Sequence, residues 1–195
     1  MKYKGTLSAG RYRPMTSSAY TCQVHCRACI AAWQVRQKRR KLCSRGKHVR
    51  DGLEVVEAAY GSDLYRQSLL LREAILRQPL GLTLSAEELA CDARRTHFCA
   101  VAGGAVIGSV SLKQLDATTL QLRQMAVAED RRGAKIGARL LIHAEDWARG
   151  AGFRQIVLNA RIGAEGFYAR YGYEAEGSVF AENTVPHVRM TKRLR

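Results

Sequence analysis

A basic loop between a predicted strand and a predicted helix carries residues whose types and spacing could do chemistry. It comprises Arg131, Arg132, Gly133, Ala134, Lys135, Ile136, Gly137 and Ala138. The start of a helix leaves backbone N–H groups without intrahelical partners, and its dipole favours negative charge. With two guanidinium groups, those amides suit a pyrophosphate, since each charge-assisted hydrogen bond contributes roughly 1.5–3 kcal/mol. A polar loop that merely contains glycine is the alternative, and the flanking elements favour the anion site.

Hydrophobic periodicity predicts the two elements that position this loop. Before it, apolar alternation predicts a strand that ends at Val127, with a change of phase between Leu122 and Met125 that indicates a β-bulge. After it, apolar residues at helical spacing predict an amphipathic helix over residues 137–149. The buried face of that helix is expected to contain Ile136, Leu140, Leu141, Ala144, Trp147 and Ala148.

The loop resembles the phosphate-binding motif of the GNAT superfamily, which are acetyl-CoA-dependent N-acyltransferases. The superfamily pattern Q/R-x-x-G-x-G/A is matched by residues 132–137, except that Lys135 stands where the first motif glycine is usual. We expect Lys135 still to donate its N–H, because a non-glycine residue can do so if its φ stays negative. Its ammonium group would add a cation near the phosphate.

Downstream motifs extend the resemblance and make it more specific. They are Leu-Asn-Ala at 158–160, Phe-Tyr-x-x-x-Gly-Tyr at 167–173, Pro-His at 186–187 and Met190. This order is similar to a small single-domain branch of the superfamily, and the resemblance covers roughly residues 53–195. It implies an α/β fold, in which a mixed central β-sheet is flanked by helices, and acetyl-CoA as co-substrate.

The resemblance assigns the acetyl-CoA site residue by residue. The backbone of Met125, Ala126 and Val127 would bind the pantetheine, and the basic loop would bind the phosphates. Asn159 is expected to end the next strand, where the sheet splays, with its side chain near the pantetheine arm. Taken alone, an Asn after a strand is more typical of a turn.

Tyr168 and His187 are the catalytic candidates that the resemblance implies. Tyr168 would hydrogen-bond the departing thiolate and act as general acid, since a phenol of pKa near 10 is protonated at neutral pH; a packing role is the alternative. His187 has a reference pKa near 6.5 and could serve as the base. Glu73, Glu129 and water remain options for the base, and Tyr171 and Tyr173 are expected to pack.

Charge divides the chain into two parts. Residues 1–50, the N-terminal arm, hold 13 Lys or Arg and no acidic residue, whereas residues 51–195 hold the other 19 basic and all 17 acidic residues, a net charge of +2. A nucleic-acid or ribosome partner is therefore conceivable only through the arm. The arm lacks sustained periodicity and is expected to be disordered. A transit peptide or a translation start placed too far upstream are further interpretations of it.

Cysteine usage does not predict a disulfide framework. Cys22, Cys26, Cys29 and Cys43 lie in the arm, where nearby His25 and His48 could add zinc ligands, but the spacing lacks two matched pairs. We therefore predict no metal site. Cys91 and Cys99 are expected to pack in the domain. This cysteine usage indicates a reducing compartment, so the sequence predicts a cytoplasmic protein, with organelle targeting by the arm as the alternative. No run of about 18 apolar residues exists, so the sequence predicts no membrane span.

The predicted elements give a two-part organisation, the arm at 1–50 and a GNAT domain at 53–195. We predict a strand at 54–59, helices at 63–78 and 85–94, strands at 98–102, 105–115 and ending at 127, the helix at 137–149, a strand at 155–158, a helix at 164–171, and strands at 174–180 and 187–194.

The predicted function is transfer of an acetyl group from acetyl-CoA to a primary amine of a small molecule or peptide. The amine would attack directly in a ternary complex, without a covalent acyl-enzyme. The alternatives are a non-catalytic acyl-CoA-binding module whose arm docks to nucleic acid or the ribosome, and a basic metal-binding regulator. The sequence identifies neither the acceptor nor the oligomeric state, and a homodimer is left open.

Overall fold

The computed structural model describes residues 52–195. The predictions made for the N-terminal arm, including its cysteine and histidine cluster, lie outside these residues. The elements are β1 (Glu54–Glu57), α1 (Asp63–Arg72), α2 (Ala86–Asp92), β2 (Arg95–Ala102), β3 (Ala105–Gln114), β4 (Thr119–Val127), α3 (Ile136–Gly150), β5 (Gln155–Arg161), α4 (Glu165–Ala169), β6 (Glu174–Glu182) and β7 (Val185–Arg193).

One mixed sheet of seven strands organises the domain, in the order β1-β2-β3-β4-β5-β7-β6. Only β4 and β5 pair in parallel, and all other neighbours are antiparallel. The predicted α/β fold with a mixed sheet is confirmed. Local signals also located helix starts correctly: Ser85 and Glu88 form the predicted capping box at α2, each side chain bonding the other's backbone N–H.

Helices cover both faces of the sheet and create two cores. On one face α3 packs through Leu140, Leu141 and Ala144. On the other, α1 packs through Tyr65 and Leu69 against a second cluster. The approach of α3 requires Gly108 on β3, because a Cβ there would lie 2.9 Å from Ile136 Cγ2 and 2.9 Å from Leu140 Cδ1.

The predicted continuous helix over 63–78 is wrong in its last turns. After Arg72 the chain forms a π-helical segment, Glu73–Arg77, followed by a 3₁₀ turn, Gln78–Leu80. The amide of Gln78 bonds the carbonyl of Glu73, five residues back, which is the π pattern. Pro79 lies in the first turn of the 3₁₀ segment, where its missing N–H costs least. The wider turn carries Arg77 to the functional cleft described below.

The C-terminal hairpin is tighter than predicted. Strands β6 and β7 are joined by a two-residue turn in which Asn183 and Thr184 have φ of 51° and 64°. Positive φ at both central residues is the type I′ pattern that matches strand twist. The strands therefore extend to Glu182 and begin again at Val185, and these residues pair directly. The sequence predicts strands at 174–180 and 187–194, with residues 181–186 between them, and this part of the prediction is wrong.

Candidate functional site

The sheet opens between its two parallel strands. The ladder between β4 and β5 runs from Thr119/Gln155 to Leu122/Leu158 and ends there, although both strands continue. The predicted bulge is confirmed where β3 and β4 shift register, and Gln124 adopts a φ of 54° there. Within residues 52–195, the backbone edge of residues 123–127 that faces β5 therefore makes no ladder hydrogen bonds. Such an edge can pair with an extended amide-containing ligand.

The residues of this edge divide their roles between main chain and side chain. Ala126 is buried in the core on the α1 face, and Met125 and Val127 pack against the core on the α3 face. Their side chains serve packing, which leaves their backbone groups as the part that could bind pantetheine.

The loop after β4 has the predicted strand-to-helix position but a different backbone from the one expected. Lys135 precedes α3 with a φ of 59° and a ψ of 16°, in the left-handed region. The expectation of a negative φ is wrong. The reason is geometric, because the chain must reverse sharply before α3, and glycine is the residue that adopts this conformation without strain. Gly133 likewise has a φ of 82°.

The start of α3 has the properties of an anion site. Among residues 52–195 no side chain caps this helix start, and its first turn holds no acidic residue. The loop before it carries Arg131 and Arg132. Both guanidinium groups are exposed, and their ion pairs within the described part of the chain are long, 3.6 Å from Arg131 to Asp130 and 3.7 Å from Arg132 to Glu129. The amides at the helix start and the weakly paired guanidinium groups of Arg131 and Arg132 are suited to bind the phosphates of coenzyme A.

Tyr168, on α4, lies beside the open edge. Its hydroxyl is 3.8 Å from Met125 Sδ, and its ring makes edge contacts with Phe167 and Tyr173. Burial raises the pKa of Tyr168 to about 12. The phenol therefore stays protonated, and its partner is the weak acceptor sulfur, so its proton can be donated to a ligand.

A carboxylate that the sequence did not single out lies in the same space. Glu182 accepts a hydrogen bond from Asn159 Nδ2 at 2.8 Å and is bonded by Arg123 Nη2 at 2.9 Å. Burial pushes the pKa of Glu182 up, but the bond from Asn159 and the charge and bond of Arg123 outweigh it, so the net pKa is lowered. Glu182 is therefore a stable anion. The sequence did not place Glu182 near Asn159, because the tight hairpin that brings Glu182 there was not predicted.

Asn159 was expected to end its strand, but β5 runs past it. β5 continues through Arg161 because its other edge pairs with β7 as far as His187. Asn159 and Arg161 lie on one face, opposite Leu158 and Ala160 in the α3-side core. The amide of Asn159 is engaged with Glu182.

His187 is buried and its tautomer follows from its partner. Its Nδ1 lies 2.8 Å from the carbonyl oxygen of Val185, and a carbonyl can only accept, so Nδ1 carries the proton. In the neutral ring Nε2 then holds a lone pair. The ring also stacks on Phe180, with centroids 6.2 Å apart.

These groups share one cleft of about 170 Å³, which we call the acceptor cleft. It brings together Tyr168, His187 and Asn159 with Met125. The remaining lining residues are Leu76, Arg77, Leu80, Gln121, Leu122, Arg123, Gln124, Leu158, Arg161, Ala164, Glu182 and Asn183. The loop at 131–138 lies outside this lining.

The two carboxylates considered as alternative bases lie elsewhere. Glu73 is buried and accepts a hydrogen bond from the amide of Leu84 at 2.9 Å. Glu129 is largely exposed in the loop beside Arg132. Neither belongs to the lining of the acceptor cleft.

The two domain cysteines have packing environments. Cys99 is fully buried and burial raises the pKa of its thiol to about 12, while Cys91 is half-buried, and both are free thiols. Residues 52–195 contain no group of three His, Cys, Asp or Glu side chains placed to hold a metal ion. Within the same residues, every helix is too short or too polar to cross a membrane.

Solved structures share this architecture. An aminoglycoside 6'-N-acetyltransferase complexed with coenzyme A aligns with a TM-score of 0.60 at 20% identity, over 73% of this chain and 97% of that one. An acetyl-CoA-bound GNAT acetyltransferase from Elizabethkingia anophelis aligns at 0.59 and 17%, over 73% and 98%. An acyl-CoA N-acyltransferase from Pseudomonas aeruginosa aligns at 0.62 and 19%, over 72% and 99%. At these identities the likeness concerns the fold.

Sequence comparison gives the family. A Bacillus subtilis (strain 168) protein named uncharacterized N-acetyltransferase YitI is 35% identical over 81 residues, which are 41% of this chain and 54% of that protein. The matching region thus spans about half the length of that relative. The family model described as acetyltransferase (GNAT) domain matches residues 82–194, more than half of the chain. The chain therefore belongs to the GNAT acetyltransferase family.

Proposed function

We propose that the protein transfers an acetyl group from acetyl-CoA to a primary amine. The observation that carries this proposal is the position of Tyr168 and His187 around the gap where β4 and β5 separate. Two structures of the same fold were solved with coenzyme A or acetyl-CoA, which supports the choice of co-substrate.

The co-substrate would be held by main chain and by the loop. Pantetheine amides would pair with the free edge of Met125, Ala126 and Val127, as a further strand would. The pyrophosphate would lie at the start of α3, against the amides of Ile136, Gly137 and Ala138. Arg131, Arg132 and Lys135 would supply the positive charge.

The chemistry is a direct attack. The amine nitrogen bonds to the thioester carbon, a backbone N–H of the open β4 edge stabilises the oxyanion, and the C–S bond then breaks. The Nε2 lone pair of His187 takes the proton that the nitrogen loses, directly or through water. Tyr168 gives its proton to the departing thiolate, and the proton held by His187 returns to the Tyr168 phenolate through water, so that both groups regain their starting forms.

The residues present favour a ternary complex over an acyl-enzyme. Among residues 52–195, the lining of the acceptor cleft includes no Cys, Ser, Thr or Lys that could become acylated. The oxygen and nitrogen groups that do line it are suited to orienting an amine and moving protons.

Steady-state kinetics on the full chain tests the proposal. Release of CoA thiol is followed against a panel of primary amines, and acetyl-CoA binding is measured separately by calorimetry. We expect amine-dependent thiol release, with double-reciprocal lines that intersect, as a ternary complex requires. Parallel lines would indicate an acyl-enzyme. Tight acetyl-CoA binding without turnover of any amine would instead identify a non-catalytic binding module.

A further inference from the structure

The acceptor cleft carries more positive charge than its proposed chemistry needs. Its lining includes the guanidinium groups of Arg77, Arg123 and Arg161 but, among the described residues, only the carboxylate of Glu182. Arg123 is engaged by Glu182 at 2.9 Å. Arg77 forms an ion pair with Glu88, which lies outside the lining. The charge of Arg161 is the one left to be balanced.

Arg161 is held in place without being neutralised. One of its amino groups donates to the carbonyl oxygen of Leu76 at 3.0 Å, and this is its only side-chain hydrogen bond to residues 52–195. Burial, then the charge of Arg77, lowers the pKa of Arg161, while Glu182 opposes that shift. Because this partly desolvated guanidinium is anchored through one nitrogen, its remaining N–H donors can bind a ligand.

The sheet places this fork beside the proposed base. Arg161 and His187 are direct cross-strand partners on β5 and β7, so their side chains rise from the same face about 5 Å apart at the backbone. The π-helical segment above them contributes Leu76 and Arg77 as the opposite wall. A small ligand that contacts Arg161 therefore has its other end next to His187.

We propose that the acceptor is a small amine that also bears a carboxylate, an amino acid, and that Arg161 binds this carboxylate in a charge-assisted, forked contact. The assignment rests on the proposed transferase function. The short separation of Arg161 and His187 favours a spacer of about one to three carbons between amine and carboxylate. Glu182 faces the same space and attracts the amine end.

Matched sets of amines test the carboxylate directly with the full chain. The first set is alanine, alaninamide and ethylamine; the second is leucine, leucinamide and 3-methylbutylamine; β-alanine and 4-aminobutyrate vary the spacer. Values of kcat/KM are corrected to the neutral amine, because amides and acids differ in amine pKa. We expect kcat/KM for a carboxylate-bearing amine to be roughly tenfold to a hundredfold higher than kcat/KM for its amide or for its decarboxylated partner. One charge-assisted contact accounts for a difference of this size.

Variants of Arg161 locate the contact. Arg161→Gln should collapse the ratio of carboxylate to amide toward one, and Arg161→Lys should retain part of it, since an ammonium keeps the charge but loses the fork. Arg94→Gln makes the same charge change at an exposed site next to α2 and should leave the ratio as in the wild type. If Arg161→Gln does not fold, the wild-type ratios and Arg161→Lys decide the matter.

The outcomes separate the two proposals. Failure to bind acetyl-CoA would overturn the transferase function itself. Amine acetylation without preference for carboxylates, or with a preference that survives Arg161→Gln, would overturn the acceptor assignment and leave the transferase intact. The protein could also bind acetyl-CoA and yet neither acetylate any amino acid of the panel nor bind one in the presence of CoA. That result would likewise overturn the acceptor assignment.

Discussion

Tyr168 combines a ring that packs with a hydroxyl that donates to the thioether sulfur of Met125. Tyr168→Phe removes the hydroxyl and keeps the packing of the ring. The free energy of unfolding should therefore fall by at most about 0.5–1.5 kcal/mol. We expect kcat to fall roughly tenfold to a hundredfold, the low end for a general acid, because a thiolate is a good leaving group. Steady-state rates and acetyl-CoA affinity measure the two effects separately.

The pH profile supplies the control for this assignment. Because the pKa of Tyr168 is raised to about 12, its hydroxyl should remain a donor across the usual assay range, and no activity should be lost on its account below about pH 11. An unchanged kcat in Tyr168→Phe, with chemistry shown to limit the rate, would make Tyr168 a packing residue.

Glu182 links stability to pH through Asn159 and Arg123. Its pKa is lowered in the fold, so it contributes stability above its unfolded pKa of about 4.5, and this contribution is lost as the pH falls through the folded value. Glu182→Gln should therefore reduce the free energy of unfolding at pH 7 by roughly 0.2–1 kcal/mol, as expected for a partly exposed pair. Urea unfolding at several pH values measures the difference.

The difference in the free energy of unfolding between wild type and Glu182→Gln should shrink below pH 4.5, because the wild-type carboxylate then becomes neutral as well. Arg189→Gln, which breaks an exposed 3.7 Å pair with Glu176, is a control expected to have little effect at any pH. A Glu182→Gln penalty that persisted unchanged at low pH would show that the amide clashes and that the ion pair is not the cause.

At the scale of elements, the start of α3 is the feature to test, and Gly137 gives a clean probe. A Cβ at this position would meet Phe167 Cζ at 3.5 Å, an ordinary contact, so a side chain fits. Gly137→Asp puts a carboxylate at the proposed phosphate site and should weaken acetyl-CoA binding by tenfold or more. Gly137→Asn has nearly the same shape without the charge and should retain most of the affinity. Calorimetry on both variants makes the comparison.

Equal losses of affinity in Gly137→Asp and Gly137→Asn would mean that bulk matters and charge does not. Retained affinity in both would place the phosphates elsewhere. Thermal unfolding of both variants checks that the helix start is intact, since a carboxylate near a helix N-terminus is otherwise mildly stabilising.

At the scale of the whole molecule, the sharp change of charge at residue 50 predicts two separable parts. We expect a chain that begins at Asp51 to fold and to bind acetyl-CoA about as tightly as the full chain, because the sheet, both cores and the cleft are built from residues 52–195. Calorimetry with acetyl-CoA on both chains tests this. An insoluble truncated chain, or one with tenfold weaker binding, would show that the arm belongs to the domain.

The sequence determined what depends on neighbouring residues. The period of the apolar residues predicted α3 and the strands, Ser85 and Glu88 predicted a capping box, and the change of phase before Met125 predicted the bulge, because each of these is decided within a few residues. The loop at 131–138 was likewise predicted between strand and helix, and its motif led to the family.

Only the tertiary structure decided which side chains meet. Glu182 contacts Asn159 and Arg123, which are 23 and 59 residues away, and Arg161 contacts the carbonyl of Leu76, 85 residues away. No local pattern encodes such meetings, because they follow from strand order and register. The left-handed backbone of Lys135 was missed for a related reason. The sharp reversal of the chain before α3, which the whole fold sets, outweighs the preference of a lysine for negative φ.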